Sequence, residues 1–153
     1  MTLGQHLIQG AVISPALVPF WGVENSAIFF CSFILIDVDH YLLYLMKTGD
    51  SSIKAMFRFC RLFPKRYKGR MLSYCIFHSL EALFLLTLAG FYLSDIFFII
   101  LFGFLSHILL DMYNLYRYNA FFDRVYSIPE YLIRKRTGKY VTNLPNFRKI
   151  HDR

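Results

Sequence analysis

Lysine and arginine are missing from two long stretches of this chain. All 17 of them lie in residues 47–70 or from residue 117 onward, and none lies in residues 1–46 or 71–116. Basic segments that flank apolar ones follow the positive-inside rule of membrane proteins. The formal charge of +7 therefore predicts two cytoplasmic segments beside a membrane, and it does not favour a nucleic-acid-binding protein.

Cysteine is scarce as well. Cys31, Cys60 and Cys75 are odd in number and show no C-x-x-C spacing, which argues against a disulfide framework and against a zinc finger. The chain also lacks a glycine-rich phosphate-binding loop and the Ser-His-Asp order of a hydrolase triad. A reducing cytoplasmic side is compatible with this composition.

Apolar residues, by contrast, are abundant. They make up 56% of the 153 residues, and 19% are aromatic, which exceeds what a soluble domain of this size usually carries. Pro15 and Pro19 predict a kink or an early end in the first apolar window. Four windows approach the ~20 residues that cross a bilayer, and they predict an all-α integral membrane bundle of about four transmembrane helices: residues 3–22, 26–46, 71–93 and 95–114.

Both termini are predicted to be cytoplasmic, in a protein of the inner or plasma membrane. The short connections near residues 21–25 and 94–95 contain no basic residue, as expected on the far side. The first window has no Lys or Arg ahead of it and no small-residue cleavage site, which argues against a signal peptide.

The sequence divides into two regions. Residues 1–114 are predicted to form the membrane bundle, with a cytoplasmic loop at residues 47–70, and residues 115–153 form a basic and aromatic cytoplasmic tail. The loop alternates basic with apolar residues, which predicts an amphipathic helix on anionic lipid headgroups better than a DNA-binding face. Pro129, ahead of residues 130–136, is typical of the first turn of a short helix.

Ionisable residues interrupt the apolar windows at one common depth, near their basic ends. Such groups are costly in hydrocarbon, at about 2.5 to 3.5 kcal/mol each on insertion scales, so a functional site is the default hypothesis. The set comprises His6 at the edge of the first window, Asp37, Asp39 and His40 in the second, His78 and Glu81 in the third, and His107 and Asp111 in the fourth.

Helical spacing pairs several of these side chains. His78 and Glu81 are three residues apart, and His107 and Asp111 are four apart, so each pair shares one helical face. Each pair can therefore grip one ion.

The second window is less regular in this respect. Asp37 and His40 are three residues apart, but Asp39 lies roughly 160° around a regular helix from Asp37. Either the helix is distorted there, or one aspartate supports the site without binding the ion.

Imidazole and carboxylate groups together suit zinc, manganese or iron. We therefore predict one or two divalent transition-metal ions, with zinc as the first choice, and a general base or bridging group at Asp39 or Glu81. The predicted metal ligands are His6, Asp37, His40, His78, His107 and Asp111.

Four blocks also carry a resemblance to a known family: His6, Asp37-Val38-Asp39-His40, His78-Ser79-Leu80 and Ser106-His107-Ile108-Leu109-Leu110-Asp111. Over roughly residues 3–114 the sequence resembles the predicted membrane-bound metal-dependent hydrolases, whose best-known bacterial member is a LexA-regulated inner-membrane protein. The resemblance implies metal-dependent hydrolysis without naming a substrate.

The sequence departs from the family pattern at four positions. Ile36 stands where the family has Pro, and Ser73, Tyr74 and Phe77 stand where it has His, Arg and Thr. Glu81 is the predicted substitute for a missing ligand.

We expect hydrolysis of an ester or phosphoester, for example in a lipid, at the cytoplasmic leaflet. One alternative is a non-enzymatic membrane metal-binding protein or a metal or proton carrier, although no ionisable residue continues the path into the outer half of any window. A di-iron oxidoreductase acting on lipid chains fits less well, because such enzymes use richer His and Glu sets. The polar set could also serve only to hold the helices together.

Overall fold

The computed structural model describes residues 3–66, 72–119, 121 and 124–137. Within these residues the chain is all-α, as predicted, apart from one pair of two-residue strands. The elements are α1 (Leu3–Leu35), α2 (Val38–Thr48), α3 (Ile53–Arg66), β1 (Ser73–Tyr74), α4 (Leu80–Tyr92), α5 (Ile96–Arg117), β2 (Arg124–Val125) and α6 (Ile128–Arg136).

Helix α1 is a hairpin of two helical limbs. Gly22 interrupts it with φ 78° and ψ 169°, a conformation that glycine adopts without steric cost. The limbs then lie side by side, since a Cβ at Gly10 would be 3.1 Å from the rings of Phe30 and Phe33. The break therefore falls at Gly22, within the predicted connection, and not at the prolines of the first limb.

A second break separates α1 from α2. Residues 36 and 37 form a turn, and α2 begins at Val38. The predicted window at residues 26–46 is therefore not one continuous helix. Two stretches, Gly4–Thr48 with its breaks and Ile96–Arg117, are long and apolar enough to cross a membrane, whereas Leu80–Tyr92 is a shorter apolar helix.

The predicted third window begins too early. Its helix, α4, starts only at Leu80, where the Ser79 hydroxyl accepts a hydrogen bond from the Ala82 N–H at 3.2 Å as a helix cap. The residues before the cap include β1, which pairs in parallel with β2 through Ser73 opposite Arg124 and Tyr74 opposite Val125. This pairing was not predicted, and it ties the tail to the bundle.

The loop at residues 47–70, predicted to be cytoplasmic, contains a helix, as predicted. On α3, Met56 and Phe59 are buried against Tyr44 of α2, whereas Phe57 stays 37% exposed. Part of the predicted membrane-facing surface thus packs on the protein. In the tail, α6 starts with Pro129 in its first turn, as predicted, and residues 138–153 lie outside the described part of the chain.

Helices α1 and α5 approach closely at Gly103. A Cβ there would lie 2.9 Å from the Ser32 Cβ and 3.0 Å from the Phe29 carbonyl oxygen. Because backbone cannot move aside as a flexible side chain can, Gly103→Ala should lower the free energy of unfolding by about 1 to 3 kcal/mol. Unfolding midpoints in detergent would measure the effect. Gly4→Ala, whose Cβ would meet nothing within 4 Å, is the control, and equal midpoints for the two variants would contradict this packing.

Candidate metal centre

The structure brings seven of the eight predicted site residues into one cluster. The break between α1 and α2 supplies three of them, and the remaining four come from the first limb of α1, the turn before α4, and α5. Asp37 and its neighbours therefore owe their position to the helix distortion that their spacing had suggested. The members are His6, Asp37, Asp39, His40, His78, His107 and Asp111.

The ring of His107 is fixed in one tautomer. Its Nδ1 lies 2.7 Å from the backbone carbonyl oxygen of Phe33, and because a carbonyl only accepts hydrogen bonds, Nδ1 carries the proton. The Nε2 atom is buried without a hydrogen-bond partner in the described structure and lies 3.3 Å from Oδ1 of Asp37. A buried lone pair beside a carboxylate is what a metal ligand offers.

His78 is held in the same way by a carboxylate. Its Nδ1 lies 2.9 Å from Oδ2 of Asp39, which also accepts the backbone N–H of Phe77 at 3.0 Å. The Nε2 atom is again buried without a described hydrogen-bond partner, and it lies 3.9 Å from Oδ2 of Asp111. Asp39 thus orients the His78 ring through Nδ1 and leaves Nε2 to bind an ion, as carboxylates do in many zinc sites.

The spacing of these atoms suits an ion. Ligand atoms around one tetrahedral zinc ion lie about 3.3 to 3.6 Å from one another, given bonds of about 2.0 to 2.2 Å. The donor atoms of Asp37, His78 and His107 all lie within 4.8 Å of one another, as do those of His6, His107 and Asp111. The donor set, imidazole with carboxylate, is the chemistry that zinc, manganese and iron accept.

Charge supports the same interpretation. The cluster holds the carboxylates of Asp37, Asp39 and Asp111, and the described residues place one guanidinium against it, that of Arg124. With neutral imidazoles, two negative charges stay uncompensated at a site where Asp39 and Asp111 are no more than 4% exposed. Since uncompensated buried charge is costly, a divalent cation fits the site.

His6 packs against the carboxylate of Asp111. Its Nε2 lies 3.2 Å from Oδ1 of Asp111, and its ring stacks on that of His107 with centroids 3.9 Å apart. Its Nδ1 has no hydrogen-bond partner in the described structure. His6 can therefore either hold Asp111 in place or bind an ion itself.

His40 faces protein partners on both sides of its ring. Its Nε2 lies 3.2 Å from Nη2 of Arg124, and because a guanidinium only donates, Nε2 accepts and Nδ1 carries the proton. That Nδ1 lies 3.2 Å from Sγ of Cys75 and 3.5 Å from Oδ1 of Asp39. His40 also belongs, with Asp39, Cys75 and His78, to a third group whose donor atoms all lie within 4.8 Å of one another, so it can bind an ion or move a proton.

Two residues of the site were missed in the sequence. Cys75 looked like a small hydrophobe, and Arg124 looked like part of a membrane-surface tail, but β2 carries Arg124 into the cluster, where Nη1 lies 3.0 Å from Oδ2 of Asp111. Burial lowers the pKa of this guanidinium, but the neighbouring groups, with the Asp111 carboxylate foremost and Cys75 and Asp39 after it, together outweigh burial, and the pKa is raised. Only the strand pairing reveals this position, and a two-residue strand leaves no local sequence signal.

Glu81 is the one predicted site residue that the structure does not bring to the cluster. Its Oε1 accepts the backbone N–H of Ile128 at 2.8 Å. This contact links the start of α4 to the start of α6, and it gives Glu81 a structural role.

A cavity of about 310 Å³ adjoins the cluster. Most of its lining comes from the end of α1, from α2 and from α3. The ionisable lining residues of the cluster are His6, Asp37, His40 and Asp111, and the others are mostly apolar, namely Ile34, Leu35, Val38, Tyr41, Ile53, Met56, Phe57 and Cys60.

Comparison with protein-family models, with curated proteins and with solved structures finds no match for this chain.

Proposed function

We propose that this chain is an integral membrane, metal-dependent hydrolase that cleaves an ester or phosphoester bond at the cytoplasmic leaflet. The observation that carries the proposal is the pair of imidazoles, His78 and His107, each with its proton held on Nδ1 and its Nε2 left beside a carboxylate. A buried histidine that served only to hold helices together would be expected to use both ring nitrogens in hydrogen bonds.

In this proposal the ion is held by Nε2 of His78 and His107 and by the carboxylates of Asp37 and Asp111, with zinc as the expected metal. His6 supports Asp111 or binds a second ion. A divalent ion in such a site acidifies a water molecule and polarises the scissile group.

The remaining residues have separate tasks. Asp39 is a positioning residue, since its Oδ2 is already used by His78 and Phe77. His40 lines the cavity and is the proposed proton carrier: its Nε2 would take a proton from the substrate side in place of the Arg124 hydrogen bond, while its Nδ1 faces Oδ1 of Asp39. This division departs from the expectation that Asp39 or Glu81 would itself be the base.

The bilayer is the proposed environment. Large apolar side chains point outward from several helices, among them Phe20 at 81%, Phe91 at 73% and Leu109 at 64% exposed. In water such a surface would cause association, whereas in hydrocarbon it costs nothing. From the basic segments and the positive-inside rule we propose that both termini and the loop at residues 47–70 lie in the cytoplasm, beside anionic headgroups.

Asp39→Asn should separate catalysis from metal binding. The loss of a carboxylate behind a ligating histidine typically costs 10- to 100-fold in activity or affinity, so we expect turnover to fall about that far while most of the metal stays bound. Metal analysis and turnover of ester and phosphoester substrates would be measured on the same preparations.

The exposed Asp95 supplies the matched control, Asp95→Asn, which should change neither quantity. If the metal-loaded protein turns over no substrate, and Asp39→Asn lowers only its melting temperature, the hydrolase assignment fails. Transport of metal or protons into vesicles without turnover would favour a carrier instead.

A further inference from the structure

We infer that the cavity beside the metal centre binds the acyl chain of a membrane lipid, whose ester or phosphoester group then lies beside Asp37 and Asp111. The reacting end of this ligand rests on the proposed function. The chain-binding end rests on the cavity alone.

The lining of the cavity has two chemically different parts. Four ionisable residues of the cluster are neighbours in it, since His6 and His40 each lie within 3.9 Å of Asp111 and His40 lies 3.4 Å from Asp37, whereas most of the other lining side chains are apolar, such as Ile34, Met56 and Phe57. A ligand that satisfies both parts must combine a polar, hydrolysable group with an apolar chain. Ligand sites of this kind, mostly apolar with a few placed polar groups, are typical of small-molecule pockets.

The rim of the cavity indicates where the ligand enters. Leu35, Val38 and Ile53 line the cavity and are 59%, 45% and 60% exposed. An apolar rim is unfavourable in water but neutral in lipid. A ligand therefore enters sideways from the bilayer, and a water-soluble phosphate ester would meet no polar group on that path before it reached the cluster.

The size of the cavity limits the occupant further. At about 310 Å³ it lies at the lower end of the range for ligand pockets, about 300 to 1,000 Å³. This volume suits part of one extended hydrocarbon chain, and it is too small for an apolar helix of a partner protein, which would be about 10 Å wide.

Photocrosslinking tests the inference without requiring turnover. The full chain would be placed in phosphatidylcholine nanodiscs containing phosphatidic acid that carries a diazirine in one acyl chain. We expect mass spectrometry to recover the label on residues 34–38 and 53–60. Val38→Trp at the rim should reduce this labelling about tenfold or more, because the larger side chain would occupy space in which several methylene groups of the acyl chain are otherwise buried.

The matched control is Leu45→Trp, on the same helix, which is 37% exposed and outside the cavity lining. It should leave the labelling unchanged. Ile53→Trp, at the start of α3, should repeat the Val38→Trp result, so that misfolding of one variant does not decide the outcome.

Labelling that is spread evenly over outward residues such as Phe20 and Leu109, or that is unchanged in both rim variants, would overturn the inference. Specific labelling of the cavity without turnover of any substrate would support chain binding and would remove the proposed hydrolase function alone.

Discussion

His107→Ala should strip the metal from detergent-purified protein and abolish its turnover. Wild-type protein is expected to hold about one ion per chain, or two if His6 joins a second site, and the variant should retain about a tenth of that or less. The reason is geometric, because His107 belongs to both groups of donor atoms that lie within 4.8 Å of one another, the group with Asp37 and His78 and the group with His6 and Asp111. Elemental analysis after dialysis against a chelator and reloading would measure the content.

The fifth histidine, His151, provides the control, and His151→Ala should keep the wild-type metal content. Replacing His78 and His107 together should be no milder than His107→Ala, since both rings contribute to the same set of donor atoms. A double variant that still carried the wild-type amount of metal would exclude the site.

The polar set of the site was largely predictable from the sequence, because charges are conspicuous in apolar windows. His107 and Asp111 share one face of α5, as their spacing predicts. The conflict between Asp37 and Asp39 was visible too, since a regular helix would turn them apart. What the spacing alone did not decide was its cause, which is the interruption at residues 36 and 37.

The parts that escaped prediction depend on contacts between distant residues. The start of α4 was misplaced because residues 72–79 are apolar enough to look helical, yet β1 and the Ser79 cap use them otherwise. Glu81 shares the helical spacing of a ligand with His78, but Ile128, 47 residues away, takes its carboxylate. Arg124 reaches the site through a strand pair that gives no periodic signal.

Arg124→Met should destabilise the metal-free protein more than any other loss of a positive charge in the described residues. Arg124 is 6% exposed and pairs with Asp111 at 3.0 Å. Breaking a buried ion pair leaves an uncompensated charge at a cost of about 3 to 5 kcal/mol, which corresponds to a fall of roughly 10 °C in the unfolding midpoint. Thermal unfolding in detergent with a chelator present would measure it.

Arg134 supplies the matched control. It pairs with Glu130 on α6 at 2.6 Å, where the two side chains are 24% and 29% exposed, and a solvent-accessible pair of this kind is worth at most about 1 kcal/mol. Arg134→Met should therefore shift the midpoint little. Adding Asp111→Asn to Arg124→Met should recover part of the loss, because the stranded carboxylate is then gone.

Added metal should raise the unfolding midpoints of the wild type and of Arg124→Met by different amounts, which would not be expected if Arg124 formed an ion pair remote from the metal. Without Arg124 the cluster carries three uncompensated carboxylates instead of two, so a divalent ion should bind more tightly and raise the midpoint of Arg124→Met further than that of the wild type. If metal raises the two midpoints equally, Arg124 does not face the ion. If Arg124→Met and Arg134→Met unfold at the same temperature without metal, the buried ion pair does not contribute to stability. The carboxylates of the cluster would then give no electrostatic reason to expect a cation at this site.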